Sequence, residues 1–215
     1  MDNGSYDDHQ AYCEAVSAKE SELLKELERN THIKCIHPRM ISGRYLGRVL
    51  SMISQLVKPS RILEIGTFTG YSALCLAEGL SDDGELITID REDELQSIQT
   101  EFIEKSPFGN RISRITGDAL SIIPELEGTF DLIFLDADKE SYNRYLPLIL
   151  ERSALGTYIL IDNMLWEGKI LNETQNDPQT ESIRVLTSQI ERDSRLTQVL
   201  LPVRDGLMII RVDSL

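Results

Sequence analysis

From Arg61 onward the chain alternates between short aliphatic runs and longer amphipathic stretches, and this alternation limits its fold more than any other feature. Arg61–Ile65, Glu85–Ile89, Arg111–Thr116, Phe130–Leu135 and Thr157–Ile161 read as strands, and Gly66–Gly70 as a tight loop. Tyr71–Leu80, Glu92–Lys105, Leu120–Leu126 and Tyr142–Leu150 read as helices. Strands alternating with helices predict a parallel sheet covered on both faces. The rhythm breaks after Ile161. Asp162–Pro178 is polar and irregular, Thr180–Arg192 reads as a helix, and Leu196–Leu201 and Leu207–Val212 read as strands linked around Pro202–Gly206. So short a link allows an antiparallel hairpin but no parallel crossover. One reversed strand is therefore expected at or near an edge.

Upstream, Gln10–Arg29 is mostly good helix formers without Gly or Pro, which predicts one helix there. After Pro38, the residues Ile41, Tyr45, Leu46, Val49, Leu50, Ile53 and Leu56 recur at helical spacing until Pro59. At roughly 150 residues per domain, a chain of 215 residues suits one domain, with 1–58 as a helical extension and 59–215 as the α/β core.

Charge and composition remove several functions. A formal net charge of -14 argues against nucleic acid as a partner, because that affinity comes mostly from cations on phosphates. No apolar run approaches the ~18–20 residues of a membrane span. The first residues, Met1-Asp2-Asn3-Gly4-Ser5-Tyr6-Asp7-Asp8, are acidic and polar and do not resemble a secretory signal. Cys13, Cys35 and Cys75 are widely spaced and odd in number, which fits a reducing cytoplasm. Cys35 and His37 lack the second pair that a zinc site needs.

The strand ends carry the ligand signals. The first strand runs into Glu64-Ile65-Gly66-Thr67-Phe68-Thr69-Gly70-Tyr71-Ser72, a glycine-bearing turn where a backbone can approach a ligand closely. Its spacing is G-x-x-x-G, which counts against a dinucleotide-binding dehydrogenase. Asp90, which ends the second strand, follows Gly66 by about 24 residues, close to the ~20 expected of an acid that holds ribose hydroxyls. Gly117-Asp118-Ala119 follows the third strand and is placed to line an adenine pocket. Together these ends predict a nucleoside-bearing ligand. The fourth and fifth strands end in Asp136-Ala137-Asp138-Lys139 and Asp162-Asn163. Two carboxylates and an amide oxygen at one rim make an all-oxygen set for a hard cation, Mg²⁺ first, with Mn²⁺ or Ca²⁺ as alternatives.

These segments resemble the cation-dependent O-methyltransferases, the group that contains the caffeoyl-CoA and catechol O-methyltransferases. The resemblance runs through the loop of Glu64–Ser72, Ile87-Thr88-Ile89-Asp90 and Phe134-Leu135-Asp136-Ala137-Asp138-Lys139. It continues through Ile161-Asp162-Asn163-Met164-Leu165-Trp166-Glu167-Gly168 and Leu201-Pro202-Val203-Arg204-Asp205-Gly206, and spans the chain from about Met40. Asp162–Gly168 favours the caffeoyl-CoA-like and bacterial branch. The resemblance implies a Rossmann-like class I methyltransferase fold with a mostly parallel seven-stranded sheet and one antiparallel strand. It implies that Glu64, Gly66, Ser72, Asp90 and Ala119 contact S-adenosylmethionine, with Asp90 on the ribose and Ser42 near the methionine end. Thr67, Phe68, Asp118 and Asp136 complete the expected cofactor set. Asp136, Asp162 and Asn163 would hold the cation, and Lys139 would stand beside an acceptor hydroxyl, as a neutral base or as an ammonium facing an oxyanion. The expected partners are a small hydroxylated aromatic acceptor and a second copy of the chain. The rival expectation is a non-catalytic module that binds S-adenosylmethionine, which has no evident need of a metal set and a lysine.

Overall fold

A computed structural model describes residues 6–215. Three helices lead in: α1 (Tyr6–Val16), α2 (Glu22–Lys34) and α3 (Gly43–Val57). The core follows as β1 (Arg61–Ile65), α4 (Tyr71–Ala77), β2 (Glu85–Asp90), α5 (Gln96–Lys105), β3 (Ile112–Thr116), α6 (Ala119–Ile122), β4 (Phe130–Leu135), α7 (Tyr142–Glu151) and β5 (Ser153–Ile161). It ends with α8 (Pro178–Arg192), β6 (Leu196–Leu201) and β7 (Leu207–Val212). The seven strands lie in the order β3-β2-β1-β4-β5-β7-β6. β7 alone runs against the rest, paired antiparallel with both β5 and β6, so the reversed strand lies one place in from the edge.

Both faces of the sheet are buried. Ile62, Leu86, Leu132, Phe134 and Leu160 pack under α2, α3, α4 and α5. Their neighbours Leu63, Ile133, Leu135, Ile159 and Ile161 point the other way, against α7 and α8. Successive strand residues alternate between faces, so a strand covered on both sides must be apolar throughout, and the runs RILEI and FDLIFL are nearly so. Glu64 is the exception, fully buried in β1.

Several boundaries differ from the sequence reading. The helix expected over Gln10–Arg29 is two helices, because the Ser21 side chain accepts from Leu24 N at 3.3 Å and starts α2 afresh. That hydroxyl satisfies one of the backbone N–H groups a new helix leaves open. The α4 helix stops at Ala77, and α5 begins only at Gln96. β5 begins four residues early at Ser153, where Thr157 Oγ1 bonds Ala154 N and Phe130 O across a Gly156 of positive φ. The irregular stretch after Asp162 holds a 3-10 segment at Trp166–Leu171, and α8 starts two residues early behind its Asp177 cap. None of the described helices is long and apolar enough to cross a membrane.

Candidate active site

Parallel strands end together, and here the carboxyl ends of β1, β2, β4 and β5 open onto one cavity of about 1050 Å³. Of the residues predicted for the site, it brings together Ser42, Gly66, Thr67, Phe68, Ser72, Asp90, Asp118, Ala119, Asp136, Lys139, Asp162 and Asn163. Glu64 is not in the lining and sits beneath the loop that follows β1.

That loop is held by side chains of the strands. Asp90 Oδ2 accepts from Thr67 N at 2.9 Å and Phe68 N at 2.7 Å, and its Oδ1 accepts from Glu92 N at 3.0 Å. Below, Thr88 Oγ1 donates to Glu64 Oε2 at 2.5 Å and stands 2.5 Å from Thr67 Oγ1. Gly66 has φ 101°, and a Cβ there would stand 2.1 Å from the Asp136 carbonyl oxygen. The first and fourth strand ends can approach this closely only because residue 66 has no side chain.

Burial pushes the Glu64 carboxyl up to about 8; the Ser72 and Thr88 hydroxyls oppose the rise, and the charges of Asp136 and Asp90 add to it. Its Oε1 has no hydrogen-bond partner among the described residues. From pH 4.5 to about 8 the unfolded chain gives up this proton while the folded chain keeps it, so stability falls as pH rises through that window. Glu64→Gln removes that slope. The unliganded variant should gain about 1–2 kcal/mol, or roughly 2–8 °C in Tm, over the wild type near the top of the window. Thermal melts across the window check this; parallel pH profiles for the two proteins would contradict it.

After β4, Lys139 Nζ donates to Asp136 Oδ1 at 2.7 Å and to Ala137 O at 3.0 Å, and lies 5.0 Å from the centre of the Tyr142 ring. Burial alone would draw the proton off Lys139; the Tyr142 phenol and the Asp136 carboxylate outweigh it and hold the pKa above the ordinary lysine value. Asp138 steadies the turn that carries Lys139, its Oδ1 capping Ser141 N at 3.1 Å and its Oδ2 accepting from Tyr145 OH at 3.2 Å. Asp162 is 2% exposed, and its Oδ1 is buried without a hydrogen-bond partner among the described residues. Burial first, and then the charge of Asp136, push its carboxyl up to about 7, against the pull of Arg204, the Asn163 backbone and Lys139.

Among the described residues no three His, Cys, Asp or Glu side chains cluster as a metal site. The expected set has two carboxylates only, its third oxygen coming from the Asn163 amide. The residues fit a hard cation nonetheless. Asp162, with its orphaned oxygen, interacts through charge with a second carboxylate, Asp136, whose own charge is met by a lysine ammonium, and oxygen donors suit such an ion. Asn163 has φ 61° and reaches Asp205 Oδ2 at 3.5 Å. The turn of residues 203–206 packs onto the segment after β5 through Met164 N to Gly206 O at 3.0 Å and Leu165 N to Asp205 O at 2.8 Å.

Sequence reasoning missed three contributors. Tyr142 and Tyr145 lie three and six residues past Lys139, a helical spacing that could have signalled a shared face. Arg204 donates to the Ser42 carbonyl oxygen across 162 residues of chain, and no local pattern signals that contact.

The sheet order and the cavity at its carboxyl rim define a Rossmann-like methyltransferase fold of class I. An O-methyltransferase from Bacillus cereus, solved in complex with SAH, superposes with a TM-score of 0.89 at 29% identity, covering 96% of this chain and 97% of that one. The chain belongs to the S-adenosylmethionine-dependent O-methyltransferases, and the O-methyltransferase family matches residues 14–212. Among curated relatives, caffeoyl-CoA O-methyltransferase of Stellaria longipes is 32% identical over 92% of this chain and 86% of its own length. Catechol O-methyltransferase of Niastella koreensis is 31% identical over 72% of each.

Proposed function

We propose that the protein moves the methyl group of S-adenosylmethionine to a hydroxyl of a small aromatic acceptor with neighbouring oxygens, with a divalent cation at Asp136, Asp162 and Asn163. The observation that carries this reading is the pairing of two sites in one cavity: a loop held by Asp90 for a nucleoside, and Asp162 with its buried, unpartnered Oδ1 beside Asp136 and Lys139.

The chain's own residues divide the work. Gly66, Thr67, Phe68, Ser72, Asp118 and Ala119 line the cofactor end, where Asp90 fixes the loop and faces the ribose. Ser42 walls the methionine end, and Glu64 supports the loop from below through Thr88. A divalent cation, when bound, supplies acidification of one acceptor hydroxyl and selection for a neighbouring second oxygen. Lys139 stands beside that hydroxyl. As the Asp136-held ammonium it would steady the oxyanion; a dication sharing Asp136 would lower the lysine pKa, and only a Lys139 already neutral would take the hydroxyl proton. The acceptor oxygen then forms a bond to the methyl carbon as the bond to sulfur breaks. The sulfonium takes that electron pair and leaves as a neutral thioether. Opposite charges cancel in this step, so alignment in a water-poor cavity is the main contribution of the protein.

The test is product formation from S-adenosylmethionine with a panel of phenols. Vicinal diphenols should turn over at least about tenfold faster than single phenols. Equal rates would remove the neighbouring oxygen from the account. Cofactor binding with no methyl release from any acceptor would favour a binding module instead.

A further inference from the structure

We propose that Gln99, oriented by Arg114, is a positioning residue for S-adenosylmethionine: from outside the cavity it sets the backbone of the cofactor loop at Phe68. This role concerns the cofactor alone and holds whatever the acceptor or the cation. Phe68 lines the cavity and has φ 47°, the left-handed region that a bulky L residue rarely enters. Such a residue stays there only when its surroundings fix it from several sides. Its N–H donates to Asp90 Oδ2, which fixes the peptide before it. The peptide after it is fixed by Gln99, whose Nε2 donates to Phe68 O at 2.6 Å. The two bonds together restrain both backbone rotations at residue 68.

Gln99 lies in α5, buried and outside the cavity lining. A buried amide needs partners at both its ends. Its Oε1 accepts from Arg114 Nη1 at 2.9 Å, and Arg114 in β3 is itself held by Thr100, whose Oγ1 accepts from Nη2 at 2.8 Å. Turned over, the amide would set its NH2 against a guanidinium and its oxygen against a carbonyl. Arg114 therefore decides that the donor faces the loop. A chain of side chains thus runs from β3 through α5 to the loop after β1. The rest of that loop is held separately. Gly66 N donates to Ile89 O at 2.9 Å and Gly70 N to Thr67 O at 2.8 Å, and Thr69 Oγ1 stands 3.0 Å from Thr31 Oγ1 in α2. Loss of the Gln99 donor should release one peptide and leave the loop in place.

The experiment measures the dissociation constant of S-adenosylmethionine by titration calorimetry on the full chain, without acceptor or added cation. Gln99→Leu and Gln99→Glu should each raise it about tenfold, the scale of one buried hydrogen bond. Gln99→Glu is the sharper variant: it keeps the length of the side chain and the bond from Arg114, but a carboxylate cannot donate to Phe68 O. It decides alone if Gln99→Leu fails to fold. Thr100→Val takes a partner from Arg114 without touching the amide, and its dissociation constant should stay within about twofold of the wild type. In initial rates with a vicinal diphenol and Mg²⁺, KM for S-adenosylmethionine should rise with the dissociation constant while kcat stays within about threefold. A side chain that only packed α5 onto β3 would not confine its effect to the cofactor. Wild-type affinity in Gln99→Glu, or an equal loss in Thr100→Val, would overturn the proposal. A wild-type protein that binds S-adenosylmethionine but methylates no acceptor would remove the methyl-transfer reading and leave the affinities to decide this one.

Discussion

Asp162→Ala should lower methyl transfer by about 10²–10³-fold while the unliganded protein keeps its fold and its melting temperature, or gains slightly. The two halves of this expectation come from one observation. Asp162 is almost wholly buried, with an unpartnered Oδ1 and a carboxyl pushed up to about 7, so in the empty protein its side chain is a burden. Its backbone does the structural work. Asp162 N donates to Leu135 O at 3.1 Å and Asp162 O accepts from Tyr142 OH at 3.2 Å, and both bonds survive truncation. A residue kept for stability would show the reverse pattern. Initial rates under saturating substrates, alongside thermal melts, separate the two. A variant that unfolds, or one that keeps full turnover, would remove Asp162 from the role given to it.

Gly66→Ala should be the most damaging small substitution at the rim. The new Cβ would stand 2.1 Å from Asp136 O, 2.6 Å from Asp136 C and 3.1 Å from Ala137 N, all backbone atoms. They cannot retreat easily, because Asp136 N donates to Ile65 O at 2.8 Å and Gly66 N donates to Ile89 O at 2.9 Å, locking three strand ends together. Left-handed backbone costs about 1–2 kcal/mol for an L residue, and forced overpacking adds typically about 1–3 kcal/mol. At roughly 2–4 °C per kcal/mol the melting temperature should fall by about 10 °C. Affinity for S-adenosylmethionine should fall by about 10²-fold, because a 1 Å misplacement at such a site is felt on that scale. Gly168→Ala is the control. That glycine also has positive φ, 75°, but a Cβ there meets nothing within 4 Å, so only the conformational penalty of about 1 kcal/mol applies. Equal effects at both positions would contradict the close approach at Gly66.

The residues that carry these predictions were legible in the sequence because each follows a strand, and parallel strands deliver their ends to one rim. Asp90, Asp136 and Asp162 needed only the alternation of elements to be brought together. The reversed strand was legible too, since the Pro202–Gly206 link is too short for a crossover. The break in the first helix was not. Ala18, Lys19 and Glu20 all favour helix, and only a serine cap divides the run. The early start of β5 was hidden by Gly156, which argues locally against a strand. Least visible was the tie between Arg204 and Ser42. It joins the last turn of the sheet to the start of α3, and a contact over so great a sequence separation leaves no periodicity to read. The same holds for the burial of Glu64, whose apolar neighbours predict a buried strand but whose charge does not.

The most direct test of the account is methyl transfer from S-adenosylmethionine to a vicinal diphenol by protein stripped of metal with EDTA and verified metal-free, before and after Mg²⁺ is returned. Stripping should lower the initial rate by about 10²-fold or more, and Mg²⁺ should restore it. Undiminished turnover in the verified metal-free protein would contradict the cation site at Asp136, Asp162 and Asn163.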